Sequence, residues 1–323
     1  EHSSNTYVLY TRSDRNSFSQ LDCKTVDELS ETLKNNNLSL KIDEGGANNQ
    51  TLQKFRIAIS VTGEYTNYHG GTVANALAAI NATLSRVNEI FETDMAVTFE
   101  LVANNNLIVY TNPGTDPYSD AVTGADGAWS NEVQSTLSSV IGAANYDIGH
   151  LFGATGGGGN AGCIGCVCNN STKGRAFSSP SNGVPESDSF DLDFVAHEIG
   201  HQMGANHTWA FESEGTGVHS EPGSGTTIMA YAGLEGLNNV ELNSDAYFHY
   251  HSIKQILDNL GSKTCQTTEA ISNNAPSANA GNDFNIPKGT AYILKGAATD
   301  SDGGDNLSYC WEQIDSGISN YLN

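Results

Sequence analysis

Basic residues are scarce in this chain: 14 lysines and arginines stand against 37 aspartates and glutamates in 323 residues, a formal net charge of -23. Such a surface offers no field complementary to a phosphate backbone or an anionic lipid face, which excludes nucleic acid and membrane surfaces as partners. The acidity itself is compatible with calcium or with a salty medium that screens repulsion. Long apolar runs are also lacking, and none approaches the roughly 20 residues that cross a bilayer, so no membrane span is expected. The chain opens at Glu1 with EHSSNTYVLYTR rather than with the pattern of a signal peptide, and this start reads as a processed end. The glycine-dense run GATGGGGNAG, 153–162, lacks the GK[ST] ending of a phosphate cradle and reads as a mobile rim loop.

Cysteines are few but placed unevenly, at 23, 163, 166, 168, 265 and 310. Cys163, Cys166 and Cys168 have no histidine near them, which makes a poor four-ligand zinc site and favours disulfides. One of the three is expected to reach Cys265, without the pairing being legible. Disulfides of this kind lead to the expectation of an exported protein.

What the chain does contain is AHEIGHQMGANHTW. On a helix His197 and His201 project from one face a turn apart, and Glu198 sits beside them. Gly204 comes where a helix ends through a left-handed turn, so the reversed chain can return His207 to the same ion. Three neutral imidazoles leave one corner of a zinc tetrahedron open, the arrangement of a catalytic rather than a structural site. Downstream, SGTTIMAYAG carries Met229 and, two residues later, Tyr231.

These motifs resemble the metzincins, and FDLDFVAHEIGHQMGANHTW with EPGSGTTIMAYAG is most similar to reprolysin-type enzymes, particularly secreted bacterial ones, over residues 54–265. The resemblance implies an α/β (α+β) catalytic domain with a mixed twisted sheet, an active-site helix and a methionine turn. It implies one zinc ion on His197, His201 and His207, with Met229 as the floor of the site. Thr208 departs from the aspartate that follows the last histidine in many animal reprolysins, which leaves substrate preference open.

The chain divides into residues 1–52, 53–267 and 268–323. KFRIAISVTGEY (54–65) reads as the first buried strand, 72–91 as an amphipathic helix, AVTFELV and LIVY (107–110) as strands, and 131–142 as a second helix. Within YDIGHLFGA, residues 147–154 take the place of the metzincin edge strand that pairs with substrate, and His150 there reads as a hydrogen-bonded strand histidine. Ser189 or Asp188 would cap the zinc helix, with Asp191 and Asp193 at its positive end; calcium on these aspartates is the rival. Residues 244–260 form a last helix, in which His249 and His251 pack rather than bind metal.

Beyond Cys265 a polar linker leads to NAPSANAGNDFNIPKGTAYILKGAATDSDGGDNLSYCWEQID, which resembles the first half of a polycystic-kidney-disease-like, immunoglobulin-type β-sandwich. Asp300, Asp302 and Asp305 would suit calcium or simply a turn. Residues 1–52 look like the tail of a propeptide, with a strand YVLY and a helix begun by Thr25, Glu28 completing its capping box. Cys23 is either a latent-state zinc ligand, with the propeptide as inhibitor, or a free or disulfide-bonded thiol. Release would follow cleavage in EGGANNQTLQ.

The function expected is a secreted zinc endopeptidase acting on proteins or peptides, with Glu198 as general base and acid and Tyr231 steadying the tetrahedral intermediate or packing. The alternative is a surface adhesion or polymer-binding protein with a vestigial zinc domain.

Overall fold

The computed structural model describes residues 21–28, 49–211 and 214–317. The expected strand YVLY, any continuation of the expected helix beyond residue 28, and residues 44–48 of the expected cleavage segment lie outside them. No helix among the described residues is long and apolar enough to cross a membrane.

Strand β1 (Thr51–Val61) is the axis of the sheet. Its alternate residues Phe55, Ile57, Ile59 and Val61 are fully buried on one face, which is what period-two patterning of β-branched and aromatic side chains produces. β2 (Val97–Leu101) runs parallel to its first half, and β3 (Ile148–Phe152) parallel to its second half. β5 (Ala176–Ser178) pairs parallel with β3, and β4 (Gly159–Asn160) closes that edge antiparallel to β5. The order is therefore β2-β1-β3-β5-β4, a mostly parallel twisted sheet.

Three assignments change here. The segment 147–154 is not the edge: β3 is flanked by β1 and β5, and its residues are buried throughout because both faces are covered. The edge is β4, inside the glycine-dense run expected to be a rim loop. LIVY does not form a strand; Asn105–Ile108 make a 3-10 turn, with Val109 left in a single bridge to Val61. The turn is held because Asn105 Nδ2 donates to Ile59 O at 2.8 Å while its Oδ1 accepts from Ile59 N at 2.9 Å.

Helix α1 (Gly63–Tyr68) is short, and α2 (Val73–Met95) is the long amphipathic helix. Thr72 caps α2 by accepting from Asn75 N, and Ala96 ends it in the left-handed region. The buried side of α2, with Ile80, Leu84, Val87 and Phe91, joins the β1 face in one core that also takes Ile199 and Met203 of the motif helix and Ile256 and Leu260 further along the chain. α3 (Trp129–Leu137) covers the other face with Trp129, Val133 and Leu137 against Leu151 and Phe177. The site helix is thus packed on one side of a sheet whose far side is filled, so its position is over-determined.

The motif helix α4 (His197–Met203) is entered through wide turns over Asp191–Ala196, and α5 (Tyr250–Leu260) packs across it. Neither Ser189 nor Asp188 caps it; Ser187 holds that position with φ 72 and no side-chain cap bond. Asp188 is instead gripped by Arg86 Nε and Nη2 at 2.9 and 3.1 Å, Asp191 accepts from Thr83 Oγ1 at 2.7 Å, and Asp193 from Ser244 N at 3.2 Å. These aspartates serve to tie α2 and the 244 loop to the entry of α4.

Disulfides join Cys163 to Cys166 and Cys168 to Cys265, as the cysteine distribution leads one to expect. Residues 267–270, assigned by sequence partly to the linker, pair as β6 (Thr267–Ala270) antiparallel to β1. Further on, β7 (Ser277–Asn279) and β8 (Ala297–Thr299) form an antiparallel ribbon whose Phe284 and Ile293 are exposed, so it encloses no core of its own among the described residues. The chain then returns to the catalytic domain: His249 and His251 donate through Nε2 to Gln313 O and Ile314 O, each at 2.9 Å. Asp302 accepts from Asn274 N and Nδ2 at 2.6 and 2.8 Å, which ties its turn to the linker 28 residues earlier.

Candidate metal centre

Helix geometry sets the first two ligands. His197 and His201 lie four apart on α4 and both are completely buried. Their rings are fixed from behind: His197 Nδ1 is 2.7 Å from Ile228 O and His201 Nδ1 is 2.8 Å from Ala205 O. A carbonyl only accepts, so each Nδ1 carries the proton and each Nε2 presents a lone pair.

Gly204 ends the helix at φ 130, with its N–H on Gly200 O at 3.0 Å. A Cβ there would stand 2.9 Å from Asn259 Cβ, so glycine serves both the turn and the contact with α5. The reversed chain brings His207 Nε2 to 3.0 Å from His201 Nε2. His207 Nδ1 makes an ion-pair contact with Asp27 Oδ1 at 3.0 Å and a longer one with Glu214 Oε1 at 3.4 Å.

The fourth member is Cys23. Its Sγ is 3.6 Å from His201 Nε2, it carries no disulfide, and the ligand atoms of Cys23, His197, His201 and His207 all lie within 4.8 Å of one another. His197 Nε2 is buried with no hydrogen-bond partner. Such an orphaned nitrogen in a closed ring of three imidazoles and a thiol costs free energy unless a cation fills it, and a donor set of nitrogen and sulfur suits zinc. The residues therefore fit the ion.

Burial pushes the His197 imidazole down to about 3, and burial with the neighbouring His207 also depresses His201. His207 is the exception: burial opposes its charge, but Asp27 and Cys23 raise it well above the ordinary value. Burial lifts the Cys23 thiol to about 11, with Glu198 adding to the rise. Glu198 is fully buried, and burial raises its carboxyl to about 7 against the hydrogen bonds it accepts.

Met229 is completely buried below α4. A Cβ on Gly200 would meet Met229 Sδ at 2.5 Å, so the glycine in HEIGH is what lets the sulfur come up under the histidines. Tyr231 lays its ring 4.6 Å from that of His207 and 4.8 Å from Trp209, centroid to centroid.

Several site residues carried no sequence signal. Thr25 does not cap a helix; its hydroxyl donates to Glu198 Oε2 at 3.0 Å and accepts from Ala161 N at 2.8 Å. Asp27 Oδ1 and Oδ2 accept from His207 N at 3.1 and 3.2 Å, and Glu28 N donates to Asn206 Oδ1 at 2.9 Å. Gly159 of β4 packs so closely that a Cβ would lie 2.2 Å from Glu198 Oε1. His150, by contrast, is the strand histidine expected, with Nε2 2.9 Å from Ser178 Oγ and Nδ1 3.2 Å from Gln202 Oε1.

A family model described as metallo-peptidase family M12B, reprolysin-like, matches residues 51–260. The chain belongs to that family. The matched span runs from β1 to the end of α5 and takes in the three histidines and Met229. No curated protein is similar enough to this chain to count as a relative. One solved structure, titled as a chaperone-substrate complex, aligns with 64% of this reprolysin-like chain and 34% of its own, at 14% identity and a TM-score of 0.35. This chain thus spans about a third of that protein's length, and a likeness so slight carries no argument.

Proposed function

We propose that the chain is a secreted zinc endopeptidase of metzincin type, held latent by its own residues 21–28. One observation carries this reading: Cys23 Sγ converges with the three imidazoles, while Glu198 lies beside them with its other contact made by Thr25. His197, His201 and His207 would hold the ion, and Cys23 would take the position a water needs.

Zinc, when bound, polarises a substrate carbonyl and makes a water acidic enough to attack near neutral pH. Glu198, its carboxyl lifted by burial to about 7, takes the proton of the attacking water and returns it to the leaving amine. Gly159 keeps that carboxylate pressed towards the imidazoles. Ile228 O and Ala205 O hold the rings in one tautomer, and Tyr231 buttresses His207. Segment 21–28 opposes all of this, since it covers the ligands, engages Glu198 and lies along the cleft. Two disulfides support export, being bonds that persist in oxidising compartments.

The test is hydrolysis of casein by the zinc-loaded chain. Cys23→Ser is expected to raise activity about tenfold or more over the parent. A chelator abolishes it, zinc restores it, and Glu198→Gln lowers kcat by about a thousandfold with zinc content unchanged. A Glu198→Gln protein that digests casein as fast as its parent overturns the mechanism; equal activity with and without Cys23 overturns the latency. The adhesion alternative predicts no turnover in any of these proteins.

A further inference from the structure

The three imidazoles are not held alike. His197 Nδ1 and His201 Nδ1 each rest on a main-chain carbonyl of the catalytic domain, Ile228 O at 2.7 Å and Ala205 O at 2.8 Å. His207 Nδ1 is also buried, but among the described residues no carbonyl takes its proton. Two carboxylates approach it instead, Asp27 Oδ1 at 3.0 Å and Glu214 Oε1 at 3.4 Å. One ring N–H can serve only one of them.

The two carboxylates come from different parts of the chain. Asp27 belongs to segment 21–28, which also brings Cys23 to the imidazoles and Thr25 to Glu198, and its side chain is only 2% exposed. It grips the same residue twice more, since Oδ1 and Oδ2 accept from His207 N at 3.1 and 3.2 Å. Glu214 belongs to the catalytic domain. Its loop departs at Phe211, whose N donates to Gly223 O at 3.2 Å, and returns at Glu221, whose N donates to Thr208 O at 2.9 Å. The loop is thus closed on itself beside His207 and stays in place when segment 21–28 is removed. A Cβ on Gly215 or Gly217 would meet nothing within 4 Å, so this loop has room to close the short gap that remains.

We propose that Glu214 is the positioning residue for His207 in the open enzyme and that Asp27 is its placeholder in the latent chain. The inference rests on reading residues 21–28 as the latency segment and the three histidines as zinc ligands. A ligand imidazole needs its outer nitrogen held by an acceptor, which fixes the tautomer, aims the ring and makes the inner nitrogen more basic. Removal of segment 21–28 takes that acceptor from His207 alone, at the moment when the Cys23 thiol is lost as well. Glu214 is then the carboxylate left within reach, and it accepts the ring N–H. The exchange keeps the third imidazole aimed at the ion while the fourth position opens.

The experiment is a double-mutant cycle on the full chain, in which Asp27→Ala stands for loss of the segment's carboxylate. Zinc affinity is read by competition with a chromogenic chelator. Glu214→Ala is expected to weaken zinc binding by less than about threefold in the parent but by about 10- to 100-fold in the Asp27→Ala background, with Glu214→Gln, a neutral acceptor, intermediate there. A Glu214→Ala effect of equal size in both backgrounds overturns the exchange, and so does no effect in either. A parent that binds no zinc counts against the metal reading instead, and proton NMR of the zinc-free chain then decides the exchange. The hydrogen-bonded His207 Nδ1 proton is expected to persist in the parent and in Asp27→Ala, where Glu214 accepts it, and to vanish in the double variant. Its loss in Asp27→Ala alone, or its persistence in the folded double variant, overturns the proposal.

Discussion

Thr208, the residue after the third histidine, donates its hydroxyl to Glu221 Oε2, and the two residues also share a backbone bond from Glu221 N to Thr208 O at 2.9 Å. Glu221 is buried and accepts further from Thr226 N, Thr227 N and Thr227 Oγ1 at 2.9, 3.0 and 2.6 Å. Thr208 N in turn donates to Met229 O at 3.1 Å. A buried carboxylate from position 221 therefore meets the residue that follows the third histidine, and it stitches that loop to the methionine turn.

Glu221→Ala leaves four donors, two of them backbone amides, without an acceptor in a closed site. A loss of about 2–4 kcal/mol in folding stability is expected. Because the pairing also orients His207, zinc affinity falls about 10- to 100-fold, read by competition with a chromogenic chelator. Unchanged zinc affinity in a folded variant would show that the network supports only the fold.

Gly200→Ala places a Cβ 2.5 Å from Met229 Sδ and 3.0 Å from Phe248 Cε1 inside a filled core. Overpacking of this kind costs about 1–3 kcal/mol. The expected result in denaturant titration is a lower midpoint with unchanged slope, and Met229→Ala in the same chain recovers part of the loss by making room.

His150 is buried, and that burial pushes its imidazole down to about 3. The unfolded chain binds a proton there below its ordinary value of about 6.5, which the folded chain refuses, so stability drops as pH falls from about 6.5 towards 3 by up to 1.4 kcal/mol per unit. Above that window the group contributes no pH dependence. His150→Gln is expected to flatten the urea-midpoint profile between pH 6 and 4 relative to the parent; parallel profiles would assign the acid sensitivity elsewhere.

The Cys168–Cys265 bond closes a loop with a sequence separation of 97 and pins the segment after α5 close to Asp147, just before β3, whose carbonyl accepts from Cys168 N at 2.9 Å. Loop-closure entropy for that length gives about 4–5 kcal/mol. Cys168→Ser with Cys265→Ser should lower the thermal midpoint far more than Cys163→Ser with Cys166→Ser, whose loop has a separation of only 3. Scanning calorimetry under identical zinc concentration distinguishes them.

Much of the architecture was legible because it is local. The period of β1, the apolar stripe of α2 and the spacing of His197, Glu198 and His201 on one helical turn are written in consecutive residues, and burial follows the pattern without help from elsewhere. LIVY failed because Asn105 bonds both backbone groups of Ile59, a contact over 46 residues that outbids strand propensity. Position in the sheet failed likewise. The composition of 147–154 fits an edge or an interior strand equally, and only the packing of β5 and β4 outside it made it interior.

By itself, then, the sequence determined the chemistry: three imidazoles, a carboxylate and a methionine in an order that a helix, a glycine turn and a reversed chain can close around one ion. Only the tertiary structure decided what surrounds them. Cys23 meets His201 across 178 residues, Thr25 meets Glu198 across 173, and Glu221 ties down Thr208, the neighbour of His207. Such pairings depend on which edge of a sheet is left open and which loops fold back on it. A hydrogen bond between distant residues leaves no periodic trace in the chain that makes it.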